Sequence, residues 1–213
     1  MSAHVKIGGV WKTATNVYTK VGGAWKTASD MPVKIAGAWK TGILGPSTGY
    51  HAIAHATLSA DTSVTFSSIP QGYTDLKIVS TLVCSIANNS AIVRFNGVTT
   101  GYFKYFLRTA SGSTITVDSS NAAVGAEAVA GSSFMSSATN RSISILDIPS
   151  YSSTTKHKTC IAYHGVQTYS GTSSAAIAAY NLPNTDAISS LTFVASGGNL
   201  TGTITLYGIK AKS

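Results

Sequence analysis

The sequence predicts an all-β chain: an antiparallel two-sheet sandwich of jelly-roll type, preceded by three short β-hairpin repeats. Three observations predict it. Charged residues make up only 10% of the 213 residues, against roughly 25% in ordinary soluble domains. Ser, Thr, Gly and Ala fill their places, which suits short strands and tight turns. A Lys/Trp unit recurs at a fixed interval near the N-terminus, and beyond it β-type segments alternate with turn signals without a convincing helical period.

The repeats align without gaps as residues 5–14 (VKIGGVWKTA), 19–28 (TKVGGAWKTA) and 33–42 (VKIAGAWKTG). Trp11, Trp25 and Trp39 are all the tryptophans of the chain, and each lies 14 residues from the next. A Gly-Gly pair between β-type residues signals a two-residue turn, because glycine accepts the positive φ of primed turns. Folding about Gly8-Gly9 sets Val10 opposite Ile7, Trp11 opposite Lys6 and Lys12 opposite Val5. A lysine facing a tryptophan across two strands can lay its ammonium over the indole. The third unit carries Ala36-Gly37 at the turn, which leaves its turn type open. An isolated hairpin is marginal in water, so these units must pack on something. Assembly residues are therefore Lys6, Trp11, Lys12, Lys20, Trp25, Lys26, Lys34, Trp39 and Lys40.

Residues 43–50 read as a linker, Gly/Pro-rich in composition, and 51–213 as the sandwich domain. Strands are expected at 62–67, 75–83, 91–96, 102–108, 113–118, 141–148, 157–164, 190–195 and 201–209. Leu76, Ile78, Ser80 and Leu82 alternate with Lys77, Val79, Thr81 and Val83, and Ile204 and Leu206 alternate with Thr203, Thr205 and Tyr207, as one-sided burial requires. Asn96-Gly97 is a turn signal of the strongest kind. Residues 120–139, rich in Ala, Ser and Gly, read as a loop or one short helix.

The net charge of +8 is uneven. Residues 1–42 hold six lysines and one acid, Asp30, giving +5, and the remainder holds nine basic and six acidic residues, giving +3. No apolar run approaches the roughly 20 residues of a membrane-crossing helix, so no membrane insertion is expected. The first residues have no signal-peptide apolar region, which predicts synthesis in a cytoplasm. Cys84 and Cys160 fall in predicted strands and read as buried free thiols.

Catalytic and metal chemistry finds little support. His157, Cys160 and His164 resemble a ligand set, but on a strand His157 and Cys160 face opposite sides, and Cys160 and His164 lie about 13 Å apart. His51 and His55 would share a helix face, yet the segment has no cap and an extended path suits it equally. The acids Asp30, Asp61, Asp75, Asp118, Glu127, Asp147 and Asp186 are scattered, and no nucleophile-base pattern stands out. No cofactor is expected. Lysines with interleaved aromatics are ingredients of nucleic-acid binding, but the charge is modest and the repeats hold no arginine, which argues against it. Tyr102, Phe103, Tyr105 and Phe106 form an aromatic cluster on one strand. One of its faces is core, and the other is a subunit contact or a platform for sugar rings.

Residues 66–76 (FSSIPQGYTDL), 93–97 (VRFNG) and 198–210 (GNLTGTITLYGIK) resemble a module of tailed-bacteriophage virion proteins, in which an Ile-Pro-x-x-Tyr-x-x-Leu segment opens the domain and a Gly-x-Ile-x-Leu-Tyr-Gly strand closes it. The Lys-x-Gly-Gly-x-Trp-Lys units are likewise similar to short repeats of phage tail and appendage proteins. The resemblance implies a non-catalytic virion protein, a tail-fibre or appendage component that docks on other virion proteins through residues 1–42. It also implies a homotrimer that presents its sandwich to a host surface glycan. A capsid decoration protein that clamps shell subunits is the chief alternative, and a carbohydrate-processing enzyme the second.

Overall fold

The computed structural model describes residues 3–7, 10–14, 18–21, 24–27, 33–35, 38–40, 49–86, 89–109, 114–129, 141–167 and 173–210. The chain divides into two units, Met1–Thr48 and Gly49–Ser213. The first contains three separate antiparallel ribbons. Strands β1 (Ala3–Ile7) and β2 (Val10–Ala14) pair, as do β3 (Tyr18–Val21) with β4 (Ala24–Thr27) and β5 (Val33–Ile35) with β6 (Ala38–Lys40). Each ribbon corresponds to one sequence repeat. The turn residues Gly8-Gly9, Gly22-Gly23 and Ala36-Gly37, and the expected linker residues 43–48, lie outside the described residues.

The second unit is an all-β sandwich with no helix among the described residues. Its strands are β7 (Gly49–Asp61), β8 (Ser63–Phe66), β9 (Asp75–Cys84), β10 (Ala91–Phe95), β11 (Tyr102–Thr109), β12 (Ile115–Ala123), β13 (Ala126–Val129), β14 (Ser142–Pro149), β15 (Lys158–Gln167), β16 (Ser173–Leu182), β17 (Leu191–Ala195) and β18 (Leu200–Lys210). Eight form one sheet in the order β12-β11-β16-β15-β14-β9-β18-β7, and four form the other in the order β13-β10-β17-β8. Every pairing is antiparallel.

The core lies between the sheets. Leu76, Ile78, Leu146, Ile148, Ile204 and Leu206 of the large sheet are wholly buried, in one cluster with Phe66, Val93, Phe95, Leu191 and Phe193 of the small one. Phe66 meets Phe193 edge-on at 5.9 Å, a favoured aromatic geometry. Strand β9 shows the predicted alternation: Leu76, Ile78, Ser80 and Leu82 are buried while Lys77, Val79 and Thr81 are only partly covered. The Asn96-Gly97 turn has φ of 50° and 72°, both positive as a primed turn requires. The Asn96 carboxamide also accepts from the backbone N–H of Ser189 at 2.8 Å and Ser190 at 3.1 Å.

Four expectations need correction. Strand β12 runs on to Ala123 and, after a bend at Val124-Gly125, β13 follows, so the described part of 120–139 is mostly strand and contains no helix. Strand β16 was not expected, because its sequence SSAAIAAYNL is alanine-rich and alanine is a weak strand former. It is held by pairing with β11 and β15 on both sides. Strand β7 begins at Gly49, so Gly49 and Tyr50 belong to the sandwich and not to the linker. They pair with Lys210 and Ile209 of the long closing strand. Tyr102 and Phe106, named as candidate contact residues, are buried in the core.

Candidate functional site

The register of the ribbons is identical in all three repeats. Lys6 stands opposite Trp11, Lys20 opposite Trp25 and Lys34 opposite Trp39. The second lysine of each unit, Lys12, Lys26 or Lys40, stands opposite Val5, Thr19 or Val33. A two-residue loop fixes this register, since a slip of one residue would move every side chain to the other face. The side chains of these nine residues lie outside the described ones.

In the sandwich, the expected aromatic cluster divides along β11. Tyr102 and Phe106 point inward, and the Tyr102 hydroxyl accepts from the Phe95 N–H at 2.9 Å. Tyr105 is 62% exposed and Phe103 half-buried on the outer side. They belong to a wider apolar surface that sequence reasoning missed. The register aligns Val117, Leu107, Ile177, Tyr163, Ile145 and Val79 in one row across six neighbouring strands. Val117 is 76%, Ile177 50%, Leu107 45% and Tyr163 45% exposed. The available signal was apolar residues at both parities of β14 to β16, the pattern of a sheet covered on both faces.

That outer face has relief. One groove of about 420 Å³ is floored by Gly165 and Ala175 and walled by Leu107, Ile143, Tyr163 and Ile177. A second, of about 450 Å³, runs past Ala179 between Tyr105, Ile161 and Asp147. Polar groups sit at its far side, where Lys77 Nζ lies 2.8 Å from Asp147 Oδ1. Partial burial acts to lower the Lys77 pKa, but the Asp147 carboxylate outweighs it and the balance is upward.

The histidine and cysteine candidates do not all share one face of a strand. His157 is exposed and precedes β15, whereas Cys160 and His164 are buried on its inner face. Among the described residues no group of three His, Cys, Asp or Glu has metal-binding geometry. Both thiols are free and buried, and burial pushes the Cys160 thiol up. His51 packs on the Tyr73 ring at 5.8 Å, while His55 Nδ1 lies 2.9 Å from Thr205 Oγ1. The two differ in exposure along an extended strand whose pairing shifts between them.

His164, Ser144 and Ser80 are successive cross-strand neighbours on the inner face. All three are buried, and none of their side-chain polar atoms has a hydrogen-bond partner. Burial holds His164 down at about 4, so its ring is neutral at pH 7. A nucleophile-base pair needs a hydrogen bond and access, and this cluster has neither. Lys158 is also buried, with Nζ donating to the carbonyls of Ser153, Lys156 and Thr185. Burial lowers its pKa and nearby Asp186 opposes the shift. Three acceptors use all three ammonium protons, so this lysine ties two loops together.

The motifs at the two ends of the sandwich meet in space. The Thr74 N–H donates to the Ile209 carbonyl at 2.8 Å, and Leu76 stands opposite Gly208. The Tyr151 hydroxyl donates to the Pro70 carbonyl, and Gln71 Nε2 donates to the carbonyls of Ile69 and Ile188 at 2.7 and 3.0 Å. These residues close the end of the sandwich.

The fold and these surfaces define a two-sheet antiparallel β-sandwich with a separate repeat unit. No protein-family model matches the chain, and no curated protein matches it. A solved structure of a protein of unknown function from Shewanella oneidensis MR-1 is similar at 13% identity and a TM-score of 0.21, with 78% of this chain and 72% of that chain covered. That likeness is too distant to carry an argument. No described helix is long and apolar enough to cross a membrane.

Proposed function

We propose that the chain is a non-catalytic structural protein of a tailed-bacteriophage virion, an appendage component that docks through residues 1–42 and presents its sandwich outward. The observation that carries this reading is the threefold repetition of one ribbon with lysine opposite tryptophan at the same register. Two-stranded ribbons of three to five residues per strand cannot hold themselves together in water. They gain stability by packing on a partner, and six lysines against one acid suit an acidic partner surface. Self-association as a homotrimer belongs to the same reading, with the outward Phe103 and Tyr105 serving either as a subunit contact or as a platform for a host glycan.

The test is location and incorporation. Immunogold labelling of particles is expected to mark a tail appendage; label spread over the shell would favour the decoration reading instead. A chain lacking residues 1–42 is expected to keep its far-ultraviolet circular dichroism as a β-protein and to be missing from purified particles. Normal incorporation of that truncated chain would overturn docking by the repeats. Release of glycan fragments from host envelope material by the purified protein would overturn the non-catalytic assignment.

A further inference from the structure

We infer that the outer face of the eight-stranded sheet is where copies of this chain meet, each copy covering the apolar row of another. The inference deepens the self-association part of the proposed function and does not depend on the virion part. The row from Val117 through Leu107, Ile177 and Tyr163 to Ile145 and Val79 crosses six strands without a charged residue. With strands about 4.8 Å apart, the row is roughly 24 Å long. The rows on either side lie about 7 Å away. One contains Tyr105, Ala179 and Ile161, and the other Ala175, Gly165 and Ile143.

The size of this patch decides what it is for. Its footprint is on the order of 500 Å², so covering it with an equal patch buries on the order of 1,000 Å², the threshold of a specific interface. Single exposed apolar residues need no explanation, whereas a contiguous patch of this size is in the upper range of what a monomer exposes and is often functional. Charge then argues for a second copy as the occupant. The patch's outer-row ion pair, Lys77 with Asp147, is neutralised within the chain at 2.8 Å, so the patch has no net charge to select a charged partner.

Shape argues the same way. The patch has two grooves, floored by Gly165 and Ala175 and by Ala179, with large side chains from the central row and Ile161 standing beside them. A surface carrying both ridge and groove can seat its ridge in the groove of an identical surface, about a two-fold axis in a dimer or head-to-tail in a trimer.

The test uses the full-length chain. Sedimentation at micromolar concentration is expected to give a dimer or trimer. Ile177→Lys is expected to weaken association at least about tenfold, because it buries an unpaired charge. Val117→Lys, at the most exposed position of the row, should act in the same direction. Thr154→Lys, at an exposed position outside the sheet, should not. Circular dichroism is expected to be unchanged in all three. A monomeric parent chain would overturn the inference, whatever else covers the face. So would an oligomer whose mass neither row variant alters, which would leave self-association standing and place it elsewhere.

Discussion

The ring of Tyr73 lies flat against Gly208, so close that a Cβ on that glycine would meet Tyr73 Cγ at 2.3 Å. Two motifs more than a hundred residues apart in sequence are thus interlocked, one from the loop that enters β9 and one from the closing strand β18. Gly208→Ala is expected to destabilise the sandwich by about 2–4 kcal/mol, since the ring must leave its seat. In a Tyr73→Ala background the same change should cost much less. A double-mutant cycle by denaturant unfolding reads the coupling, and additive losses would show that the two residues do not depend on each other.

Gly202 is constrained by the backbone itself. Its φ is +136°, and a Cβ would meet the Thr81 carbonyl oxygen at 2.0 Å. No side-chain adjustment relieves that contact, so Gly202→Ala should cost more than Gly208→Ala or prevent folding. Gly72, where an added Cβ would meet nothing within 4 Å, supplies the control: Gly72→Ala is expected to stay within about 0.5 kcal/mol of the parent. Thermal unfolding of the three variants orders them.

His164 makes stability depend on pH. Its folded pKa is held at about 4, below the ordinary 6.5, by burial. The unfolded chain therefore binds the proton first as pH falls, and stability drops between about pH 6.5 and pH 4. The loss approaches about 3 kcal/mol when the full shift is expressed. His164→Leu should flatten this part of the profile, and an unchanged slope in urea melts across that window would refute the assignment.

Lys158 should be hard to replace. Lys158→Met keeps the stem but leaves the carbonyls of Ser153, Lys156 and Thr185 without their charged donor. A loss of about 2–3 kcal/mol is expected. Hydrogen exchange should rise in residues 151–157 and 183–187 before it rises in β14 or β15, and uniform destabilisation would contradict a local tie.

Much of the fold was legible because it is written in local patterns. The alternation in residues 75–83 and 201–209 set which faces of β9 and β18 turn inward, and Asn96-Gly97 demanded positive φ at both turn positions. Folding each repeat about its two central residues gave the register, with Lys6 opposite Trp11.

The sequence by itself determined an all-β chain with three equivalent hairpins and a strand-rich domain, because period-two burial and turn chemistry act within a few residues. Only the tertiary structure decided the rest. Alanine-rich β16 is a strand because β11 and β15 bind both its edges, and Gly49 and Tyr50 join the sandwich because β18 is long enough to pair with them. Val117, Leu107, Ile177 and Tyr163, scattered along the sequence, become one surface only when strand order sets them side by side. Tyr73 and Gly208 likewise acquire their shared role from proximity in space, which no local pattern encodes.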